Sequence, residues 1–132
     1  MNNELNELDK AWFAGFFDGE GSIYTKVVGK SKYLYLRIEI TLSDLDILER
    51  YKYFFGGTIY ERKKYTNKKK CYSYIIGDNE YMKLFLENIL NYSILKKQQI
   101  VVGIELLNEK NTNKKIELSN ELKRLKNIVY AD

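Results

Sequence analysis

The chain has 132 residues, enough for one domain with a real hydrophobic core and too few for two independent ones, so we interpret residues 1–132 as a single domain. Hydrophobic residues make up 45% and charged residues 30%, which excludes a disordered chain, and the absence of histidine excludes His triads and His-ligated zinc sites. The net charge of +4 permits an anionic partner without requiring one.

The first predicted elements are a helix and a pair of strands. The helix is capped by Asn6 or Asp9 and runs to about Asp18. Apolar residues cover most of its circumference, so it must be buried on more than one side. From Ser22 the apolar period changes to two, and the alternation is clean over residues 33–42. This alternation predicts a strand with one apolar face and one polar, aromatic face.

The rest of the chain predicts a second pair of strands and four more helices. Ser43 followed by Asp46 predicts the start of the second helix, which the pair Gly56-Gly57 ends. Strands follow over 58–64 and 70–76, and then helices over 78–90, 96–108 and 113–127. Hairpins separated by helices predict an α+β fold of order αββαββα, with a four-stranded antiparallel sheet and helices on one face. The other sheet face is left free.

Cysteine usage and the absence of targeting signals indicate where the protein acts. The single Cys71 excludes an intramolecular disulfide and favours a reducing compartment. Residues 1–9 are polar and acidic, and no stretch is long and apolar enough for a bilayer, so we expect neither a leader nor membrane contact. The expected location is intracellular, either the cytoplasm of an archaeon or bacterium or a eukaryotic organelle.

One run, WFAGFFDGEGSI over residues 12–23, closely resembles the LAGLIDADG motif and the residues that follow it. Ala14 and Gly15 are small enough for two helix backbones to approach closely. Gly19 and Gly21 are expected to permit a tight exit from the helix at positive φ. This exit places Glu20 at the negative end of the helix, where a carboxylate is disfavoured unless a cation compensates it.

The chain thus resembles the LAGLIDADG homing endonucleases of the single-motif, homodimeric type, and the resemblance implies a divalent-metal-dependent enzyme. It assigns Glu20 and the carbonyl of Gly19 to a Mg²⁺ or Mn²⁺ ion. It also assigns Lys96, within Leu-Lys-Lys-Gln-Gln, to stabilising charge or positioning the attacking water. Many relatives carry a polar water-positioning residue where this chain has Leu42, and Ser43 or Asp44 is a possible substitute.

The resemblance further implies a homodimer on a near-palindromic double-stranded DNA site, because one motif supplies half an active site. The predicted dimer interface consists of Phe13, Ala14, Gly15, Phe17 and Asp18. The free sheet face is expected to enter the DNA major groove. The predicted DNA-binding residues are Tyr24, Lys26, Lys30, Tyr33, Tyr35, Arg37, Glu39, Tyr60, Arg62, Lys64, Lys68, Lys69 and Lys70. On the fourth strand, either Ser73 and Ile75 or Tyr72 and Tyr74 point outward.

Three other hypotheses remain open. One is a non-cutting relative, either a maturase that binds intron RNA or a DNA-binding regulator. Another is a nuclease of the PD-(D/E)xK type, since Asp46 precedes Glu61-Arg62-Lys63. The third is a plain interaction domain whose exposed tyrosines bind another protein.

Overall fold

A computed structural model describes residues 4–29, 33–62 and 70–127 of the chain. Within these ranges the predicted α+β fold is confirmed. None of the helices there combines the length and apolar character needed to span a membrane. In chain order the elements are α1 (Glu7–Glu20), β1 (Gly21–Val28), β2 (Tyr33–Leu42), α2 (Leu45–Phe55), β3 (Thr58–Arg62), β4 (Cys71–Ile76), α3 (Asn79–Ile89), α4 (Lys97–Asn108) and α5 (Thr112–Lys126).

The four strands form one antiparallel sheet in the order β1-β2-β4-β3. One sheet face carries the buried apolar row of β2, and the helices pack on this face. Residues directly opposite each other on neighbouring strands share a face, so the register settles the orientation of β4. Ile75 pairs with Glu39 on one side and Thr58 on the other, whereas Tyr74 is fully buried. Ser73 and Ile75 therefore belong to the free face.

Local capping rules predict most helix starts, and the structure corrects two of them. Asn6 caps α1, which settles the choice left open by the sequence, and Asp78 caps α3, at the start of the helix predicted over 78–90. The cap of α2 is Asp44 rather than Ser43, and that of α5 is Asn111 rather than Asn113. In each case the side-chain oxygen accepts a backbone N–H from the first turn of the helix, which would otherwise lack a partner.

An aromatic cluster fixes α1 against α2 and α3. The rings of Phe13 and Tyr51 lie 4.6 Å apart between centroids, and those of Phe17 and Phe85 lie 5.0 Å apart. The Tyr51 hydroxyl donates to the backbone carbonyl of Phe13 at 2.9 Å, so this buried polar group is satisfied. Burial raises the pKa of Tyr51 above the ordinary tyrosine range. The cluster thus holds one side of α1 and sets the position of its C-terminal end.

Candidate active site

Helix α1 ends at Glu20, and the chain enters edge strand β1 at Gly21 without a connecting loop. A Cβ on Gly21 would overlap the ring of Phe17. Gly21 has φ −90° and ψ 170°, and Gly19 also lies outside the left-handed region, so the predicted positive φ at both glycines is wrong. Crowding against Phe17, not backbone handedness, is what requires glycine at position 21.

Glu20 is exposed at this junction between α1 and β1. Its carboxylate forms no hydrogen bond or ion pair with the residues that the structure describes. Gly19 lies in the last turn of α1, where carbonyl groups have no partner within the helix. Both residues therefore offer hard oxygen donors, which suit a divalent cation such as Mg²⁺.

Asp18 joins the end of α1 to the segment that leads into α4. Its carboxylate accepts hydrogen bonds from the Ser93 hydroxyl and from the backbone N–H groups of Ile94 (2.6 Å), Leu95 (3.1 Å) and Lys96 (3.2 Å). Burial raises the pKa of Asp18, but the four hydrogen bonds together lower it below its usual value. Asp18 thus acts as an ionised clamp between two parts of the chain.

Lys96 is held against the end of α1 by its ammonium group. Its Nζ donates to the backbone carbonyl of Asp18 at 2.6 Å. Burial lowers the pKa of Lys96, the charge of Asp18 raises it, that of Lys126 lowers it and that of Glu20 raises it, with a net lowering. The two predicted catalytic residues, Glu20 and Lys96, therefore lie within electrostatic reach of each other.

Most of the predicted dimer interface lies inside the subunit. Phe13, Ala14 and Phe17 have no exposed surface, and Asp18 is only 8% exposed, so the prediction is wrong for these four residues. They face the core of the chain itself. The prediction failed because α1 has more than one apolar face, and the motif does not indicate which face packs against the core. Only Gly15 lies at the surface.

The exposed face of α1 is formed by Leu8, Trp12, Gly15 and Gly19. Leu8 is 82% exposed and Trp12 40%, although both are large apolar side chains. A Cβ at Gly15 or Gly19 would meet nothing within 4 Å outside its own helix turn. The described part of the subunit therefore gives no packing reason for these two glycines.

Most predicted DNA-binding residues occupy the free sheet face. The register brings eight of them to this side, namely Tyr24, Lys26, Tyr33, Tyr35, Arg37, Glu39, Tyr60 and Arg62. Lys70 precedes β4 and forms an ion pair with Glu61 at 3.3 Å. The predictions for Lys30, Lys64, Lys68 and Lys69 lie outside the described residues.

Glu39 organises a hydrogen-bond network on the free sheet face that the sequence did not predict. One carboxylate oxygen accepts from the Tyr24 hydroxyl at 2.8 Å, and the other accepts from Thr41 at 3.1 Å and Ser73 at 3.3 Å. Burial and the bond to Glu39 raise the pKa of Tyr24 to about 12. Because the partners come from three strands, only the register reveals the network.

Ser43 and Asp44 were the proposed substitutes for the polar, water-positioning residue that is replaced by Leu42, and the structure shows the surroundings of all three. Leu42 is partly buried against the core, and the Asp44 carboxylate accepts the backbone N–H of Ile47 at 3.2 Å. Ser43 remains exposed. Across residues 4–29, 33–62 and 70–127, no group of three or more acidic or cysteine side chains is arranged to hold a metal ion.

Known proteins resemble this chain in sequence and in structure. Residues 13–102 match the sequence profile of a family described as LAGLIDADG endonuclease. A segment of 78 residues, 58% of the chain, is 37% identical to the intron-encoded RNA maturase bI4 of Saccharomyces cerevisiae, of which it spans only 12%.

Two solved structures share the fold. The archaeal intron-encoded homing endonuclease I-Vdi141I, complexed with DNA, has a TM-score of 0.76 at 22% identity, covering 96% of this chain and 90% of that one. The homing endonuclease I-CvuI, in complex with its target in the presence of 2 mM Ca, has a TM-score of 0.72 at 21% identity, covering 95% of this chain and 86% of that one.

Proposed function

Because this chain belongs to the LAGLIDADG endonuclease family, we propose that it is a site-specific homing endonuclease. As a homodimer, it hydrolyses phosphodiester bonds in both strands of a long, near-palindromic double-stranded DNA site. The observation that carries the proposal is the position of Glu20 and Lys96 together at the end of α1, beside the free sheet face. A carboxylate and an ammonium group at the edge of a polar sheet face suit phosphodiester hydrolysis.

The exposed face of α1 supports the homodimer. A glycine inside a helix costs about 1 kcal/mol relative to alanine. Gly15 and Gly19 have no neighbour in the described subunit that would justify this cost. A second copy of α1, packed backbone to backbone, would need both glycines and would also cover Leu8 and Trp12. Twofold symmetry along α1 would then bring two Glu20 carboxylates close together.

Glu20 and the Gly19 carbonyl are the groups that would hold a divalent ion, Mg²⁺ or Mn²⁺. A single carboxylate per subunit fits an ion that is also bound by DNA and by the second subunit. When bound, the ion would polarise a phosphoryl oxygen and lower the pKa of water. The neighbour I-CvuI, described with its DNA target in the presence of Ca, supports a requirement for a divalent metal.

Lys96 would stabilise the negative charge that develops on the scissile phosphate. Its ammonium group is fixed in advance by the Asp18 carbonyl, so little reorganisation is needed when DNA arrives. The Asp18 carboxylate fixes the backbone of the same segment. Asp18 is thus a positioning residue, and Lys96 is the one that acts on DNA.

The free sheet face would bind the major groove. Arg37 and Arg62 lie on this face and carry the forked donor group that recognises guanine. Lys26 offers a flexible charge for backbone phosphate. Arg37 also lies 5.0 Å from the Tyr35 ring centroid, which restricts its orientation. The neighbour I-Vdi141I, complexed with DNA, supports DNA as the partner.

A second candidate function is splicing assistance as an intron RNA maturase. The specific observation in its favour is the 37% identity to the RNA maturase bI4. Binding of a folded intron RNA without cutting of duplex DNA would favour this alternative. Binding of both substrates would assign two activities to the chain.

The proposal is tested by incubating the protein with Mg²⁺ and a randomised DNA library and sequencing the cut ends. We expect one family of near-palindromic sites. Glu20→Gln should bind the recovered site normally and cut it at least about a hundredfold more slowly, since the metal loses its anionic ligand. Glu87→Gln, at an exposed position on α3, is the matched control and should cut normally. Cutting by Glu20→Gln at the wild-type rate would contradict the proposed role of Glu20 as the metal ligand.

A further inference from the structure

A second lysine reaches the junction between α1 and β1. Lys126 is the last residue of α5, and its Nζ lies 3.4 Å from the Ser22 hydroxyl and 5.7 Å from the Tyr24 ring centroid. Ser22 and Tyr24 lie on the free sheet face, on either side of the register position of Ile23. The Lys126 ammonium therefore reaches the side of the sheet that is proposed to bind DNA.

Helix α5 holds Lys126 in this position through its own packing. Leu122 and Leu125 are buried in the core, and the hydroxyl of Ser119 forms a hydrogen bond of 2.6 Å with that of Thr25 on β1. The helix is thus anchored to the same edge strand that Glu20 precedes.

Two positive charges therefore converge at the end of α1. Lys126 is one cause of the lowered pKa of Lys96, after burial, and burial also lowers the pKa of Lys126 itself. Neither ammonium forms an ion pair with a carboxylate in the described ranges. The charges of Asp18 and Glu20 both act on Lys96, whereas burial alone shifts the pKa of Lys126 and no carboxylate offsets it. Like charges that are partly withdrawn from water favour a bound anion between them.

We propose that Lys126 is a second phosphate-binding residue of the cleavage centre, which contacts the DNA backbone beside the bond that Glu20 and Lys96 act on. This inference rests on the proposed function. Lys96 approaches the centre from the start of α4, and Lys126 approaches it from the end of α5. A DNA phosphate has the charge and the hydrogen-bond acceptors to accept both ammonium groups.

The test compares Lys126→Met, Lys126→Arg and the matched control Lys123→Met, which changes an exposed lysine one helical turn earlier. Cleavage is measured in a single turnover on a cognate duplex, with enzyme in excess and all DNA bound. We expect Lys126→Met to cut about tenfold to a hundredfold more slowly, while Lys126→Arg keeps most of the rate. Lys123→Met should behave as wild type.

A binding measurement separates phosphate contact from a structural role. The dependence of DNA affinity on salt should become shallower by about two counterions per dimer in Lys126→Met, one for each subunit, with unchanged thermal unfolding. If wild type cuts and Lys126→Met matches it in rate and salt dependence, this inference is overturned and the proposed function stands. If wild type cuts no DNA, both are overturned.

Discussion

Asp18 couples two helices that are far apart in the chain. Its hydrogen-bond partners begin at Ser93, 75 positions later, and include the Lys96 backbone. The motif places an acid at position 18, but it does not show where that acid will find its donors. The sequence therefore predicted Glu20 and Lys96 separately and assigned Asp18, the residue that joins them, to the dimer interface.

Asp18→Asn should lower the free energy of unfolding by about 2 kcal/mol at neutral pH, because a buried acceptor of four hydrogen bonds loses its charge. The measurement is denaturant unfolding followed by circular dichroism. Asp44→Asn is the matched control, since Asn caps a helix about as well as Asp does and the change there should be near zero. An equal loss of unfolding free energy in the two variants would contradict the role of Asp18 as a clamp.

The same variant has an expected pH dependence. The folded-state pKa of Asp18 is lowered below its usual 3.8, so its contribution is present above that value. The contribution is lost as pH falls through the lower folded-state pKa. The stability difference between wild type and Asp18→Asn should therefore shrink from neutral pH toward pH ~3. A difference that stays constant over this range would show that ionised Asp18 is not what stabilises the fold.

At the scale of elements, α1 shows why composition alone could not separate its core face from the proposed dimer interface. The helix has apolar residues around most of its circumference, and the sequence treats these faces alike. The aromatic contacts of Phe13 and Phe17 with other helices cover one side, which leaves Leu8 and Trp12 exposed on the other. Only the three-dimensional packing separates the subunit's core face from the face available to a partner.

Gly15→Leu should have opposite effects on the subunit and on the dimer. Leucine has a higher helix propensity by about 1 kcal/mol, and its Cβ would meet no atom within 4 Å outside its own helix turn, so the subunit should not lose stability. Between two closely packed helices, the added side chains should raise the dimer dissociation constant at least about a hundredfold. Sedimentation velocity measures the shift. The control Asn120→Leu, at an exposed position on α5, should remain dimeric. A Gly15→Leu variant that remains dimeric would show that the dimer interface does not include this face of α1.

At the scale of the whole molecule, hydrophobic periodicity predicted the element order and the sheet with one free face. The clean alternation of β2 made this possible, because its apolar residues all fall on one side. The outward face of β4 was not predictable, since its two alternating rows both contain large apolar residues. Its place between β2 and β3 depends on pairing across the chain, which no local pattern records.

The whole account depends on two subunits that contribute one Glu20 each to a single cleavage centre. The most direct measurement uses co-expressed wild-type and Glu20→Gln subunits with different affinity tags, so that mixed dimers are isolated by two successive purifications. The account predicts that mixed dimers form, bind the cognate duplex as wild type does, and produce double-strand breaks at least about a hundredfold more slowly. Failure to isolate a mixed dimer, or double-strand cleavage by it at the wild-type rate, would contradict the account.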